Sequence, residues 1–217
     1  ALVDHIARVF LQTDGDLRQV VQTIIFSPEF FSPRAYRAKI KSPFEFAVSA
    51  VRATGGKITT DDVVPLDRHL AMEAGATFGR GMERLASAKR KSLNIQIIEM
   101  GQPLFAHQAP TGYPEDSRKW VNTGALISRM NFALALAEHK LTDVSVTPAD
   151  LIHGVDIDKP DIVLDRLNQA FLQGELTVPT RATLEKHLTA TEDGEASTVN
   201  IPELTALILG SPEFQRH

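Results

Sequence analysis

The chain has 217 residues, 43% of them apolar, a formal net charge of −4 and no cysteine. That length can bury a true core, and the mild acidic balance, with one short basic cluster at Lys89-Arg90-Lys91, excludes the basic stripe that nucleic-acid binding needs. Zero cysteines exclude a disulfide framework, a thiol nucleophile and a thiolate metal site. No apolar run approaches the length of a membrane span, so no membrane insertion of this segment is expected.

The chain opens directly on a helical stripe of Leu2, Ile6, Val9 and Phe10, with no initiator Met and no capping residue. This reads as a fragment of a longer protein, one from which an N-terminal targeting signal can have been lost. Asp16 and Gln19 form an N-cap with its reciprocal partner and open a helix through Phe26. Ser27 then caps a restart with Pro28 in the first helical position. Ser42-Pro43 begins a helix carrying Phe46, Val48 and Val51 that stops at Gly55-Gly56. Lys57-Ile58-Thr59 reads as a turn, and further helices are expected near 66–75 and 80–99.

Gly101 is placed to end the 80–99 helix in the left-handed conformation, and Pro103, Pro110 and Pro114 forbid continuation. An irregular loop of about twenty residues follows, a length that compact helical domains seldom carry without a purpose. Asn122 caps the next helix, and Val121 with Leu126 has the spacing of a hydrophobic staple. From Ala125 to Ala137 nearly every face is apolar, which marks the central buried helix. Arg129 interrupts it. Its guanidinium either pins the loop through carbonyls or through Glu115 or Asp116, or binds an anionic or sugar ligand, because a buried charge needs a partner. Trp120 is expected to be buried against this helix.

Thr147-Pro148 opens a shorter helix ending near Gly154. From Lys159 to Leu172 the apolar positions Ile162, Val163, Leu167, Ala170 and Phe171 keep helical spacing until Gly174, and another helix runs from about Thr180 to Leu188. One internal echo stands out: DLRQVVQTIIFSPEF from Asp16 matches NIPELTALILGSPEF from Asn200 in cap, apolar positions and closing Ser-Pro-Glu-Phe. It is either a duplicated unit or two helices sharing good capping chemistry, and each Phe is expected to plug a core. Together these segments predict an all-α fold, a single helical domain over 1–217 built as a multi-helix orthogonal bundle with a long Pro- and Gly-rich loop and little or no strand.

No catalytic constellation accompanies this pattern. There is no Gly-x-Ser-x-Gly elbow and no phosphate-cradling loop, and the histidines at 5, 69, 107, 139, 153, 187 and 217 include no pair four apart on a helix. No cofactor and no metal ligand set is therefore assigned, although a site assembled across helices stays open. Asp61-Asp62 and Asp156-Asp158 are read as acids at helix starts rather than acid–base pairs.

EMGQPLF, PTGYPED and KWVNTGALISRMNF together resemble the C-terminal motif region of a bacterial family known only as a domain of unknown function, number eighteen hundred. SPEFF, KSPFEFAVSAVRATGG and LILGSPEFQRH resemble the same family in the same order, so the likeness spans essentially the whole chain, as the family's C-terminal half. Tyr113 stands where relatives commonly carry Trp. The resemblance implies an exported, periplasmic or secreted, bacterial protein and, as partner, an exported protein resembling sulfatases and phosphatases; it implies no activity. Two roles follow. The chain is a scaffold or interaction domain whose candidate surface for a partner or glycan is Gln102, Phe105, Tyr113, Glu115, Asp116, Trp120, Asn122 and Arg129. Alternatively it is part of a hydrolase-like enzyme, acting on polysaccharide or ester, with catalytic residues in the 101–121 loop or in a missing N-terminal half.

Overall fold

The computed structural model describes residues 1–59, 92–107, 110–189 and 199–217. The expected helix near 66–75, the first part of the one at 80–99, the Lys89-Arg90-Lys91 cluster, Asp61-Asp62 and His69 lie outside the described residues. What is described is all-α apart from one two-stranded pairing and an isolated bridge between Ile40 and Arg216. It divides into two compact units, Ala1–Lys39 with His217, and Ile40–Arg216.

The first unit is a helical hairpin. Helix α1 (Leu2–Gln12) turns at Asp14 (φ 51°) and Gly15 (φ 82°) into α2 (Leu17–Ile25). The carboxylate of Asp16 caps α2 by accepting from the amides of Arg18 (2.9 Å) and Gln19 (3.3 Å), and its other oxygen accepts from the Gln19 side chain. Neither helix holds a buried residue. Beyond α2 the chain does not restart as a helix. Ser27 instead organises a turn in which its hydroxyl donates to Ile24 O (2.7 Å) and accepts from Phe30 N (3.3 Å).

The second unit holds the core. Helix α3 (Pro43–Ala53) starts with a complete capping box, Ser42 Oγ accepting from Glu45 N while Glu45 accepts from Ser42 N, and buries Phe46, Ala47, Ala50 and Val51. Gly56 then lies so close to Val51 that a Cβ there would sit 2.9 Å from the Val51 carbonyl. Lys57 and Ile58 form strand β1 (Lys57–Ile58) rather than a turn. They pair antiparallel with β2 (Val144–Ser145), and Thr59 N donates to Asp143 O (2.9 Å). Two residues per strand are too few to show alternation, which is why the pairing is silent in sequence.

Helix α4 (Leu93–Glu99) has its own start, so no single helix runs from 80 to 99. Ser92 is extended and caps Ile95 N, and the buried Asp143 accepts Leu93 N with both carboxylate oxygens (2.9 and 3.0 Å). Helix α5 (Thr123–Ala137) is central only in its second half. Phe132, Ala133, Ala135, Leu136 and Ala137 are buried, whereas Leu126, Ile127 and Leu134 are exposed. Short α6 (Pro148–Leu151) leads to α7 (Pro160–Leu172). The buried stripe of α7 is Val163, Leu164, Leu167 and Phe171, with Ile162 and Ala170 outside, a rotation of one position from the expected face. Helices α8 (Val178–Thr189) and α9 (Ile201–Leu209) complete the unit, α9 lying against α5 and α7 and burying Leu204, Ala206, Ile208 and Leu209.

The echoed Ser-Pro-Glu-Phe segments have unequal fates. Phe214 is 4% exposed and meets Phe46 edge-on at 6.0 Å, with the Lys41 ammonium 4.1 Å from the centre of its ring. Phe30 is 48% exposed and meets only Phe31 (5.1 Å) among the ring contacts of the described residues, so it plugs no core here.

Candidate functional site

The loop after α4 is built by local chemistry. Met100 ends the helix, and Gly101, at φ +98°, lets the chain turn while its amide donates to Ile98 O and that of Gln102 to Ile97 O. The Gln102 side chain then accepts from Phe44 N (2.8 Å), one of the orphan amides in the first turn of α3. The loop is thereby tied to the core unit at its first step.

Phe105 follows in the left-handed region at φ +63°, fully exposed at 105% of the reference area. Such a φ is uncommon for a bulky side chain and costs on the order of 1–2 kcal/mol. Nothing is gained by burial in return. Behind it the Tyr113 hydroxyl donates to Pro103 O, the His107 ring stacks on Tyr113 (4.4 Å, 15°), and Trp120 lies tilted against Tyr113 at 5.8 Å. The Trp120 indole N–H donates to Pro114 O (3.2 Å). Burial pushes the Tyr113 hydroxyl's pKa up, so it stays protonated and keeps donating at neutral pH.

Asp116 caps the 3₁₀ turn Ser117–Trp120 by accepting Arg118 N, and the same carboxylate takes the Arg118 guanidinium at 3.1 and 3.0 Å. Those hydrogen bonds hold its carboxyl below the usual carboxylate range, and the aspartate raises the guanidinium in turn. Asn122 caps α5 through Ala125 N (2.9 Å) as its sequence position implies.

The eight candidate residues therefore separate. Gln102, Asp116 and Asn122 spend polar groups on amides and on Arg118, although Asp116 and Asn122 are themselves exposed. Trp120 is half-buried and tethered to the loop rather than largely buried. Arg129 is not part of the loop clamp. It is fully buried, donating to Lys41 O (2.6 Å) and Gln215 Oε1 (3.1 Å) with its guanidinium carbon 5.2 Å from the centre of the Phe46 ring. Burial pushes its pKa down to about 10 against the opposing field of Glu45, which leaves it charged at neutral pH. Phe105 and Glu115 are exposed, and Tyr113 and Trp120 are half-buried. His107 joins them, a residue whose role in sequence has no signal beyond its lying within the loop.

Chemically, the described part of the loop presents rings, those of Phe105, His107, Tyr113 and Trp120. Among its described acids Asp116 is engaged by Arg118, and an open cleft in the first unit, lined by Leu2, His5, Val9, Gln19 and Phe26, has Glu29 as its one carboxylate. Among the described residues no group of three or more His, Asp or Glu is placed to hold a metal ion, and no helix is long and apolar enough to cross a membrane.

The profile of the family described as "Protein of unknown function (DUF1800)" matches residues 1–216. No curated protein and no solved structure matches.

Proposed function

The chain belongs to the DUF1800 family of proteins of unknown function, and we propose that it is a non-catalytic recognition module whose binding surface is the loop from Gly101 to Val121. The observation that carries this reading is Phe105: a fully exposed aromatic ring held in a left-handed backbone, on a loop whose neighbouring polar groups are already tied down. Backbone strain of this kind persists where the surrounding structure enforces it, and it clusters at sites of binding. An exposed ring on a rigid support loses little entropy when it is covered, which is what an interface anchor needs.

Tyr113 and Trp120 have their hydrogen-bonding atoms turned inward to Pro103 O and Pro114 O. That leaves ring surface rather than donors for a ligand, and it favours a protein partner with an apolar socket over a saccharide read through hydroxyl groups. An exported location and a sulfatase- or phosphatase-like partner belong to this proposal and rest on the family resemblance.

The test is Phe105→Gly, since glycine adopts φ +63° without strain. The variant should unfold at the wild-type midpoint or slightly above it while its capture of partner from the native extracellular fraction is lost. Unchanged capture would overturn the reading.

A further inference from the structure

The start of the loop and the start of α3 share one hydrogen bond, in which Phe44 N donates to Gln102 Oε1 at 2.8 Å. The carboxamide that ties the two segments thus spends only its oxygen. Its amino group has no hydrogen-bond partner among the described residues and stays open to solvent, since Gln102 is only half-buried. A carboxamide fixed by its oxygen and unpaired at its nitrogen is a donor held in one direction.

One exposed ring stands next to this donor along the hydrogen bond, and another along the chain. Phe44 is 42% exposed and directly follows the buried Pro43 in the first turn of α3, so its backbone is rigid. Phe105 comes three residues after Gln102, a separation of at most about 10 Å even for extended chain. The turn from Pro103 to Ala106, closed by Ala106 N donating to Pro103 O (3.3 Å), shortens that path. Leu104 packs against the core and fixes the turn from within. Ring, donor and ring are therefore neighbours on rigid supports within one unit.

We propose that Phe44, Gln102 and Phe105 form one recognition edge for an extended apolar segment of a partner polypeptide, with the Gln102 amino group donating to a main-chain carbonyl of that segment. The edge rests on the reading of the Gly101–Val121 loop as a recognition surface. An extended chain offers carbonyls flanked by side chains, so apolar side chains meet the two rings while the carbonyl between them meets the donor. The rings and the donor are held in place before binding, so little entropy is lost when they are covered. A saccharide is the other ligand that suits rings beside an amide donor, and the two differ in what they tolerate there. A carbonyl only accepts, whereas a sugar hydroxyl also donates.

Gln102→Glu separates them, because a carboxylate still accepts Phe44 N but presents an acceptor where the donor was. Peptides enriched on the purified chain from a phage library of random short sequences should carry paired apolar residues. Their dissociation constants should rise about tenfold or more on Gln102→Glu and on Phe44→Ala, which keeps the main-chain tie. Hydrogen exchange of the Phe44 amide should stay as slow in Gln102→Glu as in the wild type; if it quickens, Phe44→Ala alone decides. A library that yields no binder, or immobilised oligosaccharides bound by the wild type and by Gln102→Glu alike, would overturn the proposal. Peptides lost on Phe105→Gly yet indifferent to Gln102→Glu and Phe44→Ala would overturn this edge alone, whereas peptides indifferent to Phe105→Gly would remove the reading of the loop itself.

Discussion

The guanidinium of Arg129 donates to the side-chain carbonyl of Gln215 at 3.1 Å across 86 residues of sequence, and its second amino group donates to Lys41 O at 2.6 Å. One buried cation thus joins the middle of α5, the segment leading into α3 and the turn after α9. Lys41 adds to the same junction through its ammonium, which donates to Phe214 O (2.7 Å), and through its amide, which donates to Gln215 O (2.8 Å).

Removing that cation takes away the donor that the buried Gln215 Oε1 and the Lys41 carbonyl share. Arg129→Ala should therefore cost on the order of 2–4 kcal/mol. Arg129→Lys should not recover it, because one ammonium cannot reproduce a forked pair of donors. Urea unfolding of the two variants checks this; an Arg129→Ala midpoint equal to wild type would show that the junction carries no stability.

Gly56 is required by proximity rather than by a positive φ. A Cβ at this position would lie 2.9 Å from both Val51 Cγ1 and the Val51 carbonyl oxygen, and the carbonyl cannot rotate away. Gly56→Ala should lose about 1–3 kcal/mol, the range for overpacking. Thermal unfolding reads it directly, and a neutral result would mean that the approach of the chain to α3 is looser than described.

Asp143 binds Leu93 N with both oxygens while its own carbonyl receives Thr59 N. The side chain therefore organises the start of α4 from fifty residues away. Asp143→Ala should destabilise by about 1–3 kcal/mol, since the Leu93 amide is left buried without an acceptor. Amide exchange of Leu93 should quicken far more than that of Thr59, whose acceptor is backbone; equal protection at Leu93 in variant and wild type would refute the assignment.

Glu213 supplies a pH dependence. Burial works to raise its pKa, but donation from the hydroxyls of Thr177 and Thr180 outweighs burial and holds it below the ordinary value of 4.5. A carboxyl whose folded pKa is depressed contributes stability that is complete above its unfolded pKa and is lost as pH falls through the folded one. The wild type should lose this contribution as the pH drops below about 4.5. Glu213→Gln should show a flatter profile there. Parallel acid profiles for the two proteins would contradict the sign.

The caps were legible because each is a local event. Asp16, Ser42, Asn122 and Asn200 sit two or three residues before the amides they accept. The end of α4 at Gly101 was legible for the same reason. What could not be read is what depends on distant chain. Arg129 in sequence announces only that a buried cation needs acceptors, and the nearer candidates, Glu115 and Asp116, are spatially wrong while Lys41 and Gln215 are right. Identical Ser-Pro-Glu-Phe segments end with one Phe buried and the other exposed, because burial belongs to the surroundings rather than to the motif. In α7 the stripe with Leu164 competes with the one containing Ile162, and only the packed neighbours choose between faces one residue apart. The loop itself was legible as irregular and aromatic. Its inward hydrogen bonds and the outward Phe105 were not, since they follow from a backbone conformation that sequence does not announce.

The most direct test of the loop as a recognition surface places a benzophenone photocrosslinker at position 105 of the full protein in its native cells, with a second protein carrying it at the exposed Glu175. Irradiation should give one discrete adduct to an exported protein from position 105 and none from position 175. The same adducts from both positions, or none from either, would contradict the account.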